Sequence, residues 1–584
     1  MTKNFDENCA LFAEQWPLEA FKIQSEDLGE IDPKKYDEGV SAWAKELPLE
    51  GVDTAILYGI GFGAAFDALH AWLERDSNRH LLFLEDDLAV LRAFFETDKA
   101  GKLLSHPQVT ICYLQDVEGS AEALDFIYWV FSRTKFRFFT TPYYQKTKRE
   151  TADKLSEKIA YDAELKSGLV EEYEQYGVSF FRNFYSNIKE LPGALWGNKL
   201  FKQFEGIPAI ILGAGPSLSK QLSLLKELAD KALIFAGGCA LNALQAHGLK
   251  PHFGAGIDPN DVQLLRLKET SEFPVPFFYR NRLFATAIRE IKGPRLYVSG
   301  AGGYDISEWY EEKFGLTGDF LDEGHNVVNF CTELALRMGC NPIVFVGLDL
   351  AFTDSRHYAE GVKDTITCKE APIVRKDIYG HDVTTQWKWI FEADWLSQLV
   401  KEHTETAFYN ATEGGIGIPE VKNLPLKDVV NEKLLKKHPI ESMVNEALRA
   451  AKIPQVTAEK IQAATHELKE SLERTISYID QLVLEIDKEA AKDEPQEKLR
   501  SGKAILIETD LFDEPAYRYI LDIFHHVYAR ISYRDSLKLK QNKGSKRTPK
   551  ELAIAHLQIQ KKKLQFLKEV AQANLLLIQF AETL

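Results

Sequence analysis

The chain has 584 residues, 45% hydrophobic and 11% aromatic, which is ample for packed cores and excludes a disordered protein. With 71 Lys and Arg against 87 Asp and Glu, the formal charge of −16 argues against a general nucleic-acid binder. At about 150 residues per domain the length suits three or four domains.

Cys9, Cys112, Cys239, Cys331, Cys340 and Cys368 are scattered and form no Cys-x-x-Cys pair. That is neither a zinc pattern nor a disulfide framework, and it fits a reducing cytoplasm. The first residues lack the apolar core of a signal peptide. No apolar run reaches the ~18 residues that span a bilayer. The expectation is a cytoplasmic protein without a membrane span.

Residues 1 to about 50 read as polar and partly helical, with Trp16, Phe21 and Trp43 as packing anchors. A Rossmann-like α/β domain, 1–145, contains the strand Thr54–Tyr58, the turn Gly59-Ile60-Gly61-Phe62-Gly63 and a helix over Ala64–Glu74. The next strand, His80–Leu84, ends in Glu85, and Val109–Tyr113 and Phe136–Phe139 follow as further strands. Glycines after one strand and an acid at the end of the next can hold a ribose, as in S-adenosylmethionine or dinucleotide sites. The alternative is an inherited scaffold with an empty crevice, in which Glu85, Asp86 and Asp87 cap the next helix.

A charged helical connector spans 146–200, and a second α/β domain spans 201–426. It opens with the strand Ile207–Leu212, the turn Gly213-Ala214-Gly215-Pro216-Ser217 and a helix through Leu222, Leu225 and Leu228. Gly213 and Gly215 permit a sharp turn and close ligand approach, and Pro216 pre-sets a first helical turn. Ser217 or Ser219 can cap the helix, whose N–H groups suit phosphate. The strand Ala232–Ala236 ends in Gly237-Gly238 and not in an acid, which counts against NAD. Further strands are expected at Phe253–Ile257, Val275–Tyr279, Arg295–Ser299 and Ile343–Val346, with helices at Ala240–His247 and Val327–Met338. This alternation predicts a mostly parallel sheet with its ligand at the strands' carboxyl ends, where Gly215, Asp258 and Asp349 fall.

From 427 to 584 the pattern is helical. Ile461, Thr465, Leu468, Leu472, Thr475, Ile479, Leu482 and Ile486 follow 3–4 spacing and predict an amphipathic helix of about 30 residues. Helical stretches are also expected over about 514–539 and from 549 to the end. Between them, Lys538, Lys540, Lys543, Lys546, Arg547 and Lys550 mark a basic loop, read as solvated or as a docking surface for an acidic partner.

Gly213-Ala214-Gly215-Pro216-Ser217-Leu218, Gly256-Ile257-Asp258-Pro259, Val346-Gly347-Leu348-Asp349-Leu350-Ala351, Tyr358-Ala359-Glu360-Gly361 and Asn410-Ala411-Thr412-Glu413-Gly414-Gly415 occur in that order. Together they resemble the motility accessory factor (Maf) family of bacterial flagellin glycosyltransferases. The likeness covers the central domain, and the flanking regions match the family's layout more loosely. Gly324-His325-Asn326-Val327 departs from it by lacking a small hydroxyl residue before the helix. The glycine-proline-serine turn is also similar to that of bacterial sialyltransferases, which implies a sialyltransferase-like central domain.

The resemblance implies transfer of a nonulosonic acid, pseudaminic or legionaminic in type, from a CMP-activated donor to flagellin Ser/Thr, in support of flagellum assembly and motility. On that basis Gly213, Gly215, Pro216, Ser217, Gly237, Gly238, His325 and Asn326 are expected around CMP. Asp258, Asp349 and His357 are the expected catalytic residues, with His381 a further candidate base. No metal and no cofactor beyond the donor are expected. A pterin-type pyrophosphokinase sharing this central domain is the alternative, and it would use Mg²⁺ held by Asp258 and Asp349. A non-catalytic flagellin-binding assembly factor is a third reading. The C-terminal helices are expected to dock flagellin, unless Leu575–Ile578 pack on the α/β domains instead.

Overall fold

The computed structural model describes residues 3–29, 31–268, 274–300, 305–322, 324, 326–352, 358–359, 373–541 and 547–583. Its backbone divides into two compact units.

The first unit comprises 1–177, 474–517 and 521–571. Its sheet contains β1 (Thr54–Tyr58), β2 (His80–Glu85), β3 (Val109–Tyr113) and β4 (Phe136–Thr140), all parallel, in the order β3-β2-β1-β4. β1 and β2 are buried along their whole length, and each contains an apolar run, Ala55–Tyr58 and Leu81–Leu84. Successive side chains point to opposite faces. Ala55 and Leu57 join Leu69, Phe94 and Phe95 on one face, while Ile56 and Tyr58 join Leu124, Leu155 and Ile159 on the other.

The second unit comprises 178–473, 518–520 and 572–584. Its sheet strands are β5 (Leu195–Trp196), β6 (Ala209–Leu212), β7 (Leu233–Gly237), β8 (Phe253–Gly256), β9 (Phe277–Tyr279), β10 (Arg295–Tyr297) and β11 (Ile343–Val346). After the hairpin of β12 (Ile373–Lys376) and β13 (Asp382–Thr385), β14 (Phe408–Asn410) and β15 (Lys422–Asn423) complete it. The order is β15-β14-β11-β6-β7-β8-β9-β10-β5 and every pairing is parallel. The predicted parallel α/β architecture is therefore found, with outer strands that the sequence reading did not name. β5 and β15 are two residues long, too short for any periodicity to show.

The connector and the helical tail are each shared between the two units and do not stand alone. The helix Arg149–Gln175 belongs to the first unit and Ser179–Asn187 to the second. The amphipathic helix extends over Ala458–Ala490 and buries Ile461, Leu468, Leu472, Ile479, Leu482 and Ile486. The stretch read as one helix over 514–539 includes a π-helical turn, Tyr517–Leu521, ahead of the helix Asp522–Gln541. The last helix, Pro549–Thr583, ends in the second unit. There Tyr185 donates its hydroxyl to Asn574 at 2.8 Å, and Lys189 Nζ donates to the carbonyl of Ala581 at 2.8 Å. Ile578 is fully buried, whereas Leu576 is 66% exposed, so the apolar run is only partly committed to packing. This helix end walls a cavity of about 880 Å³ with Tyr185, Ile188, Tyr310 and Ile461. No helix among the described residues is long and apolar enough to cross a membrane.

Candidate functional site

The chain runs outward from β6 through β7, β8, β9 and β10, then returns to place β11 on β6's other side. Strand order reverses at β6 and β11, and sheets of this kind bind ligands outside the carboxyl ends at such a reversal. The glycine turn after β6 and the Gly347-Leu348-Asp349 turn after β11 meet there. Gly213 N donates to Val346 O and Gly215 N to Gly347 O, each at 2.8 Å, extending the ladder beyond the strands.

Asp349 lies at the centre of this junction and is 2% exposed. Its carboxylate accepts from Ser217 Oγ at 2.6 Å and from Ser217 N at 3.3 Å. Ser217 therefore makes no side-chain cap to the helix Leu218–Leu225. A buried carboxylate of the chain itself stands at the helix N-terminus, where an anionic ligand was expected, and the positive helix end favours it. A Cβ on Gly215 would lie 2.1 Å from Asp349 Oδ2, so the bare backbone here admits Asp349.

The loop after β14 joins the same junction. Thr412 Oγ1 accepts from Leu348 N at 3.1 Å, and Ile416 N donates to Asp349 O at 3.1 Å. A Cβ on Gly414 would stand 3.5 Å from Asp349 Oδ1 and 3.8 Å from Ser217 Cβ. Asn410–Gly415, expected only as a loop, thus reaches the site. Gln221 fastens it from the helix by donating to Ala411 O and Glu413 Oε1.

A second cluster occupies the ends of β7 and β8. Asp258, 39% exposed, forms an ion pair with Arg266. Asp258 O accepts from Phe284 N at 3.0 Å, and Asn183 Nδ2 donates to Pro259 O at 2.8 Å, so neighbouring turns fix this strand end. The Cys239 thiol hydrogen-bonds with Tyr358 and Arg266; burial pushes its pKa up, against the Arg266 charge. Gly238, at φ +46°, faces the Arg266 side chain. A Cβ on Gly237 would lie 2.3 Å from Val327, so Gly237 serves helix packing.

Asn326 N-caps the helix Val327–Arg337 by accepting from Val328 N at 2.7 Å and Asn329 N at 3.0 Å. Its side chain also hydrogen-bonds Glu392, whose pKa burial raises. His325 and His357 lie outside the described residues. His381 is 77% exposed beside Asp377 in the β12–β13 turn, from which Ile378 N donates to Gly415 O at 3.0 Å. Sequence reading missed Arg266 and Gln263, on the helix Val262–Lys268; the available signal was a polar pair three residues apart among Val262, Leu264, Leu265 and Leu267. Among the described residues no group of three or more His, Cys, Asp or Glu could hold a metal ion. Asp258 is paired with Arg266 and Asp349 with Ser217, so the two carboxylates have different partners.

The N-terminal glycine turn has a reversal of its own, since β1 lies between β2 and β4. Glu85 there is fully buried and accepts from Ile60 N at 3.1 Å, from Asp86 and Asp87 N, and from Tyr144 OH. Asp37 accepts from Phe62 N at 2.9 Å. The carboxylate that would hold a ribose is satisfied by its own chain, and Asp87 caps the next helix.

A sequence-family profile described as 6-hydroxymethylpterin diphosphokinase MptE-like matches residues 182–355, which span β5 to β11 and Asp349. No curated protein matches the chain in sequence. A solved structure matches along the entire chain. The fold is that of a Maf glycosyltransferase. That protein, from Magnetospirillum magneticum AMB-1, superposes with a TM-score of 0.59 at 14% identity, covering 100% of this chain and 96% of its own. The likeness takes in the Rossmann-like unit, the central parallel sheet and the helical tail of this chain together.

Proposed function

We propose that the chain is a glycosyltransferase that moves a nonulosonic acid, pseudaminic or legionaminic in type, from a CMP-activated donor to Ser/Thr hydroxyls of flagellin, in support of flagellum assembly and motility. The observation that carries this reading is the likeness of the whole chain to a Maf glycosyltransferase, with a strand-order reversal where three of the quoted motifs, at 213–218, 346–351 and 410–415, meet. Cleavage of the donor breaks the bond between the sugar's anomeric carbon and a phosphate oxygen, leaving positive charge on the sugar and negative charge on phosphate. Arg266, held by Asp258 at the ends of β7 and β8, suits that developing anion. Asp349 acts as a positioning residue: it ties the Gly213–Ser217 turn to the β11 and β14 loops. Proton removal from the acceptor hydroxyl needs a base, a part assigned to His357 or Asp258.

The pyrophosphokinase reading is favoured by the family profile over 182–355. The separate engagement of Asp258 and Asp349 weighs against it. Thermal unfolding of the full chain with CMP, CMP-sugar, ATP with Mg²⁺ and S-adenosylmethionine separates these readings, because a bound ligand raises apparent stability. Stabilisation by CMP and CMP-sugar is expected, while stabilisation by ATP with Mg²⁺ alone would replace the transferase reading with the kinase. The mass of flagellin from a deletion strain tests the transfer itself. A retained glycan would leave the chain as an assembly factor.

A further inference from the structure

The hairpin of β12 and β13 is bonded to the loops that meet at Asp349. Thr385 Oγ1, fully buried, donates to Leu350 O at 2.7 Å, and Phe352 N donates to Thr384 O at 2.8 Å. Leu350 has φ +51°, a conformation that a leucine keeps only where its surroundings fix it. From the hairpin's turn, Ile378 N donates to Gly415 O at 3.0 Å. Along an antiparallel pair, residues alternate between bonding the partner strand and presenting N–H and C=O to the other side. Asp377 N bonds His381 O, and Thr384 O is turned to Phe352. Val374, opposite Thr384, and Lys376, opposite Asp382, therefore present N–H and C=O at the outer edge of β12. Among the described residues that edge receives only the Arg375 side chain, whose Nη1 donates to Val374 O at 3.2 Å.

We infer that the outer edge of β12 binds an extended segment of the acceptor polypeptide as a third strand. This inference rests on the transferase reading above and adds to it how the protein substrate is held. Only another extended backbone matches an alternating row of N–H and C=O groups, which is the basis of peptide recognition by strand addition. Val374 on the strand, Tyr379 in the turn and Trp387 just beyond β13 are 60%, 62% and 54% exposed and offer apolar contact. The Arg375 guanidinium lies over the Trp387 ring, 5.9 Å from its centroid, and has no ion pair among the described residues. A segment with carboxylates beside its Ser or Thr hydroxyl complements that charge. A second copy fits worse. Two β12 edges paired antiparallel, with both edge residues of each engaged, set Arg375 directly opposite Arg375, and like charges so placed destabilise a sheet.

The test is binding of monomeric flagellin, from the organism that encodes the chain, to the full chain and its Val374→Pro, Val374→Thr and Arg375→Glu variants, with CMP binding measured beside it. Proline removes the outward N–H, breaks no β12–β13 bond and is tolerated on an edge strand. Val374→Pro is expected to weaken flagellin about 10-fold or more and Arg375→Glu about 5-fold. Val374→Thr, which keeps the N–H, should change it by less than about twofold, and CMP affinity should stay within about twofold in all three. Hydrogen exchange needs no substitution: flagellin should slow exchange over 373–376 in the wild type. If Val374→Pro melts below wild type, Arg375→Glu and the exchange measurement carry the comparison. Wild-type protein that binds CMP and no flagellin overturns the acceptor reading and this inference with it. Flagellin binding that Val374→Pro leaves unchanged, or that does not slow exchange over 373–376, overturns the inference alone. So does binding lost in Leu576→Asp and kept in Val374→Pro, which moves the dock to the last helix. A wild-type dimer in ultracentrifugation that Val374→Pro dissociates would overturn it too, by giving the edge to a second copy.

Discussion

Substituting Gly215 by alanine tests whether Asp349 organises the junction of β6 and β11. The new Cβ would lie 2.1 Å from Asp349 Oδ2, 2.7 Å from its Cγ and 2.8 Å from Gly347 O. Contacts under 3.0 Å are not tolerated, so the carboxylate must retreat by nearly 1 Å. It is 2% exposed and its bonds from Ser217 Oγ and N are 2.6 and 3.3 Å long, so retreat gives up both inside a buried site. A hydrogen bond to a charged acceptor is worth about 1.5–3 kcal/mol, so losing two sets the expected loss at about 3–6 kcal/mol. In an Asp349→Ala background the nearest remaining obstacle is Gly347 O at 2.8 Å. The same substitution should then cost only about 1 kcal/mol, a coupling of about 2–5 kcal/mol between two touching residues. Urea unfolding followed by tryptophan fluorescence gives the four stabilities, and hydrogen exchange of 209–212 and 343–346 locates the change. Equal cost of Gly215→Ala in both backgrounds would refute the argument.

Gly415→Ala should also be damaging, because its φ is +72° and the new Cβ would lie 1.8 Å from Asp349 O; a loss of over about 3 kcal/mol in the same assay is expected. Burial raises Glu311 from 4.5 to about 7, against its bonds from Tyr297 and Gly300, and burial likewise raises Glu85 to about 7. The folded state then binds more protons than the unfolded one, so these carboxyls lower stability as pH rises from about 4.5 to about 7, and Glu311→Gln should flatten its share of that slope in pH-dependent urea unfolding. Burial lowers Lys563 to about 8, beside His525. Its contribution should rise with pH between about 8 and 10.5 and vanish in Lys563→Met. Deletion from Pro549 onward removes the buried Leu557, Leu567, Ala571 and Ile578, so cooperative unfolding should be lost by circular dichroism. Leu576→Asp, at a 66% exposed position, is the cleaner probe of acceptor docking, and flagellin pull-down reads it without a change in melting temperature.

Local pattern determined much of this protein. β1, β6 and β11 are buried along their whole length, so each had to be an apolar run, and such runs bounded by glycines are visible in one dimension. The helix Ala458–Ala490 shows its buried stripe at 3–4 spacing because the period is a property of the helix itself. Asp258 and Asp349 were legible as strand-end residues for the same reason. What bonds to them was not. Ser217 and Asp349 are 132 positions apart, and only the order β11-β6-β7 brings their turns together. Gly215 reads alone as an opening for phosphate, whereas in the fold its missing Cβ is the space that Asp349 occupies. Arg266 and Gln263 sit in a short helix without a motif, and only the fold sets Arg266 against Asp258 and Gly238, and Gln263 against Gly256. The split of the C-terminal helices between two units was equally hidden, since an amphipathic stripe shows that a face is buried and not against what. Periodicity is a local property of the chain, while strand order and close approach arise from contacts between distant segments, which only the tertiary structure decides.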